Sequence, residues 1–146
     1  QKIARYFSVK GITRLLCIID QSNDAFSVDL YENLKKTFKG SLAPFYINTA
    51  LDFTYPEMAK LAVLSGPEAI FFLTPPAATG FLAQRLRASG CRASFYGTIW
   101  AQTQDLIRFG GNAVVGLKLF TFVNPQNSYP PFRTFIRKTK GAGLTP

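Results

Sequence analysis

Apolar and polar positions along the chain alternate between two periods. The first apolar run, "RLLCIID" over Arg14–Asp20, meets no polar residue between Leu15 and its closing acid and predicts a strand buried on both faces. At 24–38 the period changes: Phe26, Leu30 and Leu34 recur four apart, the stripe of an amphipathic helix, and Gly40 closes it. "APFYINTA" (43–50) predicts a second strand. "TYPEMAKLAVLSG" (54–66) predicts a second helix, with Thr54 and Glu57 spaced as a capping box, Pro56 in the first turn and Gly66 as the stop. "EAIFFLTPP" (68–76) reads as a third strand broken by Pro75 and Pro76, followed by a helix over 77–89 with Ala78, Leu82 and Leu86 on one face before Gly90. "RASFYGTIW" (92–100) is a fourth strand and its corner, then a short helix lies around 102–109, and "NAVVGLKLFTFV" (112–123) supplies a fifth strand. Pro131 opens a last helix with Phe132, Phe135 and Ile136 on its inner face. Strands alternating with helices predict a three-layer α/β fold: an open, mainly parallel, Rossmann-like sheet with helices on both faces.

A chain of 146 residues is the usual size of one domain, so 1–146 is expected to form a single α/β lobe. Charge or Pro/Gly interrupts each apolar run short of the about 18 residues that cross a bilayer. The opening "QKIARYFSVKG" lacks the order of a secretory signal, and the absence of an initiator Met fits an excised piece. Cys17 and Cys91 match neither a zinc spacing nor a CxxC pair, and Cys17 is expected as a buried free thiol. The formal net charge of +9 raises nucleic acid as a partner, but the bases are spread: Lys35, Lys36 and Lys39 on one helix, Arg85, Arg87 and Arg92 around another, Arg137, Lys138 and Lys140 at the tail. They read as solvated helix faces, and no Gly/aromatic nucleic-acid motif joins them.

In an open parallel sheet, ligands bind at the carboxyl ends of the strands. That directs attention to four corners, 20–26, 74–77, 98–102 and 120–127. Their chemistry does not suit an enzyme. The chain has no His, no GxSxG elbow, no phosphate loop and no GxGxxG turn, so no catalytic residue and no cofactor are expected. A phosphorylated receiver domain is excluded because the third strand ends "LTPP" where the phosphoacceptor Asp would stand. Asp20 reads as a strand-terminating acid that meets backbone amides, Asp24 as helix capping or macrodipole support, and Asp52 as structural. What remains is apolar and hydrogen-bonding surface. Phe26, Pro75, Pro76, Ile99 and Trp100 would line a pocket, and Ser22, Asn23, Thr74 and Thr98 would supply donors and acceptors. The candidate ligand-binding set is Asn23, Phe26, Thr74, Pro75, Thr98, Ile99 and Trp100. Phe26 faces either core or ligand, and Trp100 is either a packed loop aromatic or a stacking surface.

At this point a resemblance becomes visible. "ARYFSVKGITRLLCIIDQSNDAFSVDLYENLKKTF" resembles the segment entering the second lobe of type I periplasmic ligand-binding proteins, the Leu/Ile/Val-binding group served by ABC importers. "ALDFTYPEMAKL" is similar to the family's acid-Phe-Ser stretch, "EAIFF" with "LAQRLRASGCRASFYGT" to its strand, helix and strand ending in Gly. "GNAVVGLKLFTFVNP" and "PPFRTFIRKTKGAGLTP" resemble the return strand and final helix. The resemblance covers essentially the whole chain. It implies one half of a clamshell whose first lobe is absent from this sequence. It further implies a small-molecule ligand trapped by hinge closure, a membrane permease as partner, and a periplasmic or extracellular location. Phe26 falls on the family's aromatic after the first corner, and Pro75 or Pro76 where amino-acid binders place an aromatic. Ile99 falls where they place an acid for the ligand's ammonium. That departure predicts a less cationic, more apolar ligand, an aromatic or aliphatic carboxylate in preference to an amino acid. The same architecture resembles the effector domain of lac-repressor-type transcription regulators, which would bring DNA binding through a further segment.

Overall fold

The computed structural model describes residues 2–51, 56–121 and 127–141. Five strands, β1 (Arg14–Asp20), β2 (Ser41–Ile47), β3 (Ala69–Leu73), β4 (Ser94–Thr98) and β5 (Lys118–Phe120), form one sheet in the order β2-β1-β3-β4-β5. Every pairing is parallel, so the sheet is wholly rather than mainly parallel. The strand order reverses between β1 and β3, the switch point of a doubly wound sheet.

The helices are α1 (Lys2–Val9), α2 (Asp24–Thr37), α3 (Pro56–Ser65), α4 (Pro76–Ala88), α5 (Gln104–Gly110) and α6 (Pro130–Gly141). α1 and α2 cover one face of the sheet. There Phe7, fully buried, meets the rings of Phe38, Phe71, Tyr96 and Phe120 edge-on at 6.3, 5.7, 5.1 and 5.5 Å. α3 and α4 cover the other face through Met58, Ala62, Leu82, Ala83 and Leu86, packed on Leu16, Ile18, Ile70 and Phe72. α5 lies against α4 so closely that a Cβ on Gly80 would stand 2.7 Å from the Gly110 nitrogen.

The elements differ from the sequence expectations chiefly at their ends. α1 has no counterpart among them. β2 starts and stops earlier than 43–50, and its Pro44, lacking an N–H, is tolerated because β2 is an edge strand. β3 stops at Leu73, and the prolines belong to α4, Pro75 as its N-cap and Pro76 as its first residue. β5 is three residues long, since 111–114 forms a 3-10 turn and Gly116 takes φ +80°. α6 opens at Pro130, one residue before the expected Pro131. Thr54 of the expected capping box, Asp52, and the side chains of Phe135 and Ile136 lie outside the described residues.

Cys17 and Cys91 are both buried free thiols, and burial pushes the Cys17 thiol far above its ordinary pKa. Among the described residues no helix is long and apolar enough to cross a membrane.

Candidate functional site

The carboxyl ends of β1, β3 and β4 lie side by side, and each is held differently. After β1 the chain makes a 3-10 turn, Gln21–Asn23, before α2 begins. Asp20 is fully buried at this bend and its carboxylate is saturated. Oδ1 accepts from the Ser22 and Thr49 amides at 3.0 Å each, and Oδ2 from the Ser22 and Thr49 hydroxyls at 2.7 and 2.6 Å. Burial would raise its pKa, but the bonds from Thr49 and Ser22 outweigh it and hold the carboxyl below its ordinary value. The amide-meeting role expected of this acid is thus present, extended to two hydroxyls and to the loop after β2. Ser27 Oγ donates to the Asp20 and Asn23 carbonyls and fastens the first turn of α2 to the strand end.

Asn23 stands at the N-cap position of α2, half-buried, but its side chain makes no capping bond. Among the described residues no side chain therefore caps α2 at Asn23; Ser27 Oγ, which donates to carbonyls, ties the turn to the strand end without accepting from the helix amides. Asp24 is exposed in the first turn, where a negative charge suits the helix dipole.

After β3, Thr74 is fully buried, and its hydroxyl is 2.6 Å from that of Thr79, which also donates to the Thr74 and Pro75 carbonyls at 3.1 and 2.8 Å. Pro75 is half-buried above this clamp. After β4, Ile99–Ala101 forms a 3-10 turn closed by Gln102 N–H on the Ile99 carbonyl at 2.9 Å, with Ala101 fully buried and Ile99 and Trp100 half-buried.

Phe26 and Trp100 meet edge to face, ring centroids 5.4 Å apart at 78°. Their strands are separated by β3, a gap of about 10 Å at ordinary strand spacing, so two large rings reaching toward each other span the end of β3. The structure thereby joins Phe26 and Trp100 as an aromatic shelf at the carboxyl edge, with Asn23, Pro75 and Ile99 half-buried in the same three corners. Thr74 and Thr98 are placed differently. Thr74 is occupied by Thr79. Thr98 is 2 % exposed, its Oγ1 has no hydrogen-bond partner among the described residues, and it belongs to the wall of another hollow. That hollow, about 550 Å³, lies between α1 and α2 and is lined by Ile3, Tyr6, Leu30, Leu34 and Phe120.

Sequence reasoning missed Thr49, whose amide and hydroxyl supply half of the bonds to Asp20. Its only signal was its place at the end of the second strand, next to the first in a doubly wound sheet. Among the described residues no cluster of three or more His, Cys, Asp or Glu could hold a metal ion.

These features define an α/β lobe with a half-buried aromatic pair at the carboxyl edge of its sheet. No protein-family model matches the chain, and no curated protein matches it in sequence. Solved structures do. A leucine-binding protein, LivK, from Thermotoga maritima superposes with a TM-score of 0.83 at 22% identity over 99% of this chain and 43% of its own. A protein assigned to branched-chain amino acid ABC transport, from Rhodospirillum rubrum, gives 0.81 at 19% identity over 99% and 42%. An extracellular ligand-binding receptor from Rhodopseudomonas palustris gives 0.75 at 15% over 98% and 42%. The chain therefore has the fold of one lobe of type I periplasmic ligand-binding receptors, as its sequence resemblance implies, and spans about two fifths of the length of the structures it matches.

Proposed function

We propose that this chain is the second lobe of a solute-binding receptor serving an ABC-type importer, located in the periplasm or outside the cell. It would close with a first lobe over a small organic ligand and then present it to a membrane permease. The observation that carries this reading is the Phe26–Trp100 pair, which lies at the carboxyl edge near the switch point, where ligands of open α/β sheets bind. A half-buried aromatic shelf suits a ligand held between two walls that meet only on closure.

The same corners argue for the ligand's charge. Asp20 is consumed by four hydrogen bonds, and Asp24 contributes instead to an open hollow with Gln21, Asp29 and Tyr46. Ile99 offers only hydrocarbon. Among the described residues an ammonium buried against this shelf would have no counter-charge, which costs on the order of several kcal/mol. The ligand is therefore an aromatic or aliphatic carboxylate rather than one whose ammonium contacts this lobe.

The test is a thermal-shift screen of the full-length protein against amino acids, aromatic acids and short aliphatic acids, repeated with Trp100→Ala. Binding to the folded state raises the midpoint with ligand concentration. Stabilisation by carboxylates, lost in Trp100→Ala, is the expected result; a shift from amino acids that the variant keeps would remove the shelf from the site.

A further inference from the structure

The end of the lobe opposite the ligand shelf gathers the charge that looks dispersed along the sequence. Because every strand is parallel, all strand starts and all last helical turns converge on the amino edge of the sheet. Among the described residues the starts of β1–β4 and the ends of α1–α4 carry Lys10, Arg14, Lys35, Lys36, Lys39, Arg85, Arg87 and Arg92 against Glu32 and Glu68, a net six positive charges, and Arg108 in the last turn of α5 and Lys118 at the start of β5 add to them. Helix dipoles explain some of this, since cations favour last turns. They do not explain Lys10, Lys39 or Arg92, which lie in the connecting turns.

The same end also exposes hydrocarbon. Val9, the last residue of α1, is 76% exposed, and Val63 and Leu64, in the last turn of α3, are 51% and 85% exposed. Ala59, Val63, Leu64 and Ser89 border a shallow hollow of about 460 Å³. Basic groups interleaved with protruding aliphatic side chains match a surface that is anionic outside and oily a few ångströms deeper.

We propose that the amino edge is a docking surface for an anionic lipid bilayer. An acidic protein fits less well. Arginine forks are what reads a fixed carboxylate, and four of the five here are engaged within the lobe, Arg108 over the Phe109 ring at 5.5 Å among them. Arg14 pairs with Glu68 at 3.3 Å, Arg85 lies over the Phe81 ring at 5.0 Å, and Arg87 binds the Cys91 and Ala93 carbonyls at 2.8 and 2.9 Å. Lys35 pairs with Glu32 at 3.9 Å and Lys10 lies over the Tyr6 ring at 5.9 Å, which leaves Lys36 and Lys39 beside Arg92 as exposed groups, and a lysine is a flexible point charge suited to mobile headgroups.

Co-sedimentation of the full-length protein with phosphatidylcholine vesicles, with and without phosphatidylglycerol, tests the proposal. Binding should require phosphatidylglycerol and weaken with salt. Replacing Lys35, Lys36 and Lys39 together by Glu should reduce it about 100-fold or more, from the usual contribution of a lysine near such a surface. Val9→Ser with Leu64→Ser should reduce it about tenfold through lost insertion. Reversing Lys2, Arg5 and Arg133 together, an equal change of charge away from the amino edge, should leave binding within a few fold. An equal loss in both charge-reversal variants would reduce the effect to net charge and overturn the proposal, as would absence of vesicle binding. Capture of soluble poly-glutamate in place of vesicles, with the same lysine dependence, would assign the face to an acidic protein instead.

Discussion

The corner after β1 and the corner after β4 stand on the same edge of the sheet and are built by opposite means. The first is closed by charge: a buried carboxylate gathers two amides and two hydroxyls, one pair from its own turn and one from the loop after β2. The second has no side-chain cap, and its 3-10 turn is held by one backbone bond and by packing, with Ala101 buried beneath and Trp100 leaning on Phe26. A saturated carboxylate fixes geometry but leaves nothing to offer a ligand. A half-buried indole fixes less and keeps a free face. The division teaches that the acid in the first corner spends its chemistry on position, while the aromatic pair across β3 leaves surface exposed.

Removing the acid should have the largest effect. Asp20→Ala strips the acceptor from four donors in a buried turn, and urea unfolding should show a loss of about 3 kcal/mol or more. Asp20→Asn separates charge from shape. The native pKa of Asp20 lies below its unfolded value of about 3.9, so its stabilisation is complete above that value and is lost as pH falls through the native pKa. A plot of stability against pH should therefore steepen below about pH 4 in the parent protein and lose that component in Asp20→Asn. An unchanged slope would mean that the network holds without its charge.

Trp100→Ala comes next, with the weight reversed. Stability should change by about 1 kcal/mol or less, because the ring is only half-buried, whereas ligand affinity measured calorimetrically should fall at least about tenfold. A large stability loss with affinity intact would erase the contrast between the corners. Phe26→Leu is the finest probe. It keeps the hydrocarbon and removes the edge-to-face contact, worth about 0.5–1.5 kcal/mol, so a few-fold loss of affinity is expected.

The parallel sheet was legible because its central strands are buried on both faces and read as unbroken apolar runs, β3 most clearly with all of Ala69–Leu73 buried. The helix stripes were legible for the same physical reason in the other period, as at Ala78, Leu82 and Leu86, all buried. α1 was not. Eight residues, "KIARYFSV", carry no cap or stop before them, and what makes them a helix is Phe7 entering an aromatic cluster assembled from residues as distant as Phe120. β5 was overextended because "NAVVG" is as apolar as a strand, while its Val114 is needed against Gly110.

At the site, the residue types could be read but not their company. That Phe26 meets Trp100 depends on the strand order, which places β1 two strands from β4. The inward turn of Thr98 was available in principle, since strand alternation sets it on the same face as Tyr96, toward α1 and α2. The two sets of bases on α2 and around α4 likewise looked scattered only because a parallel sheet's common edge does not show along a line of letters.

The Phe7 ring has a mechanical consequence. It is the deepest point of an eight-residue helix and is clasped by rings from α2, β3, β4 and β5. A pull along the chain at Lys2 would load that one ring before any strand, and β1, shielded between β2 and β3, would feel tension only after the ring had been drawn out. Under force the lobe should yield in two steps, an early one as α1 pulls free and a later one as the sheet shears, with Phe7 acting as the latch between them.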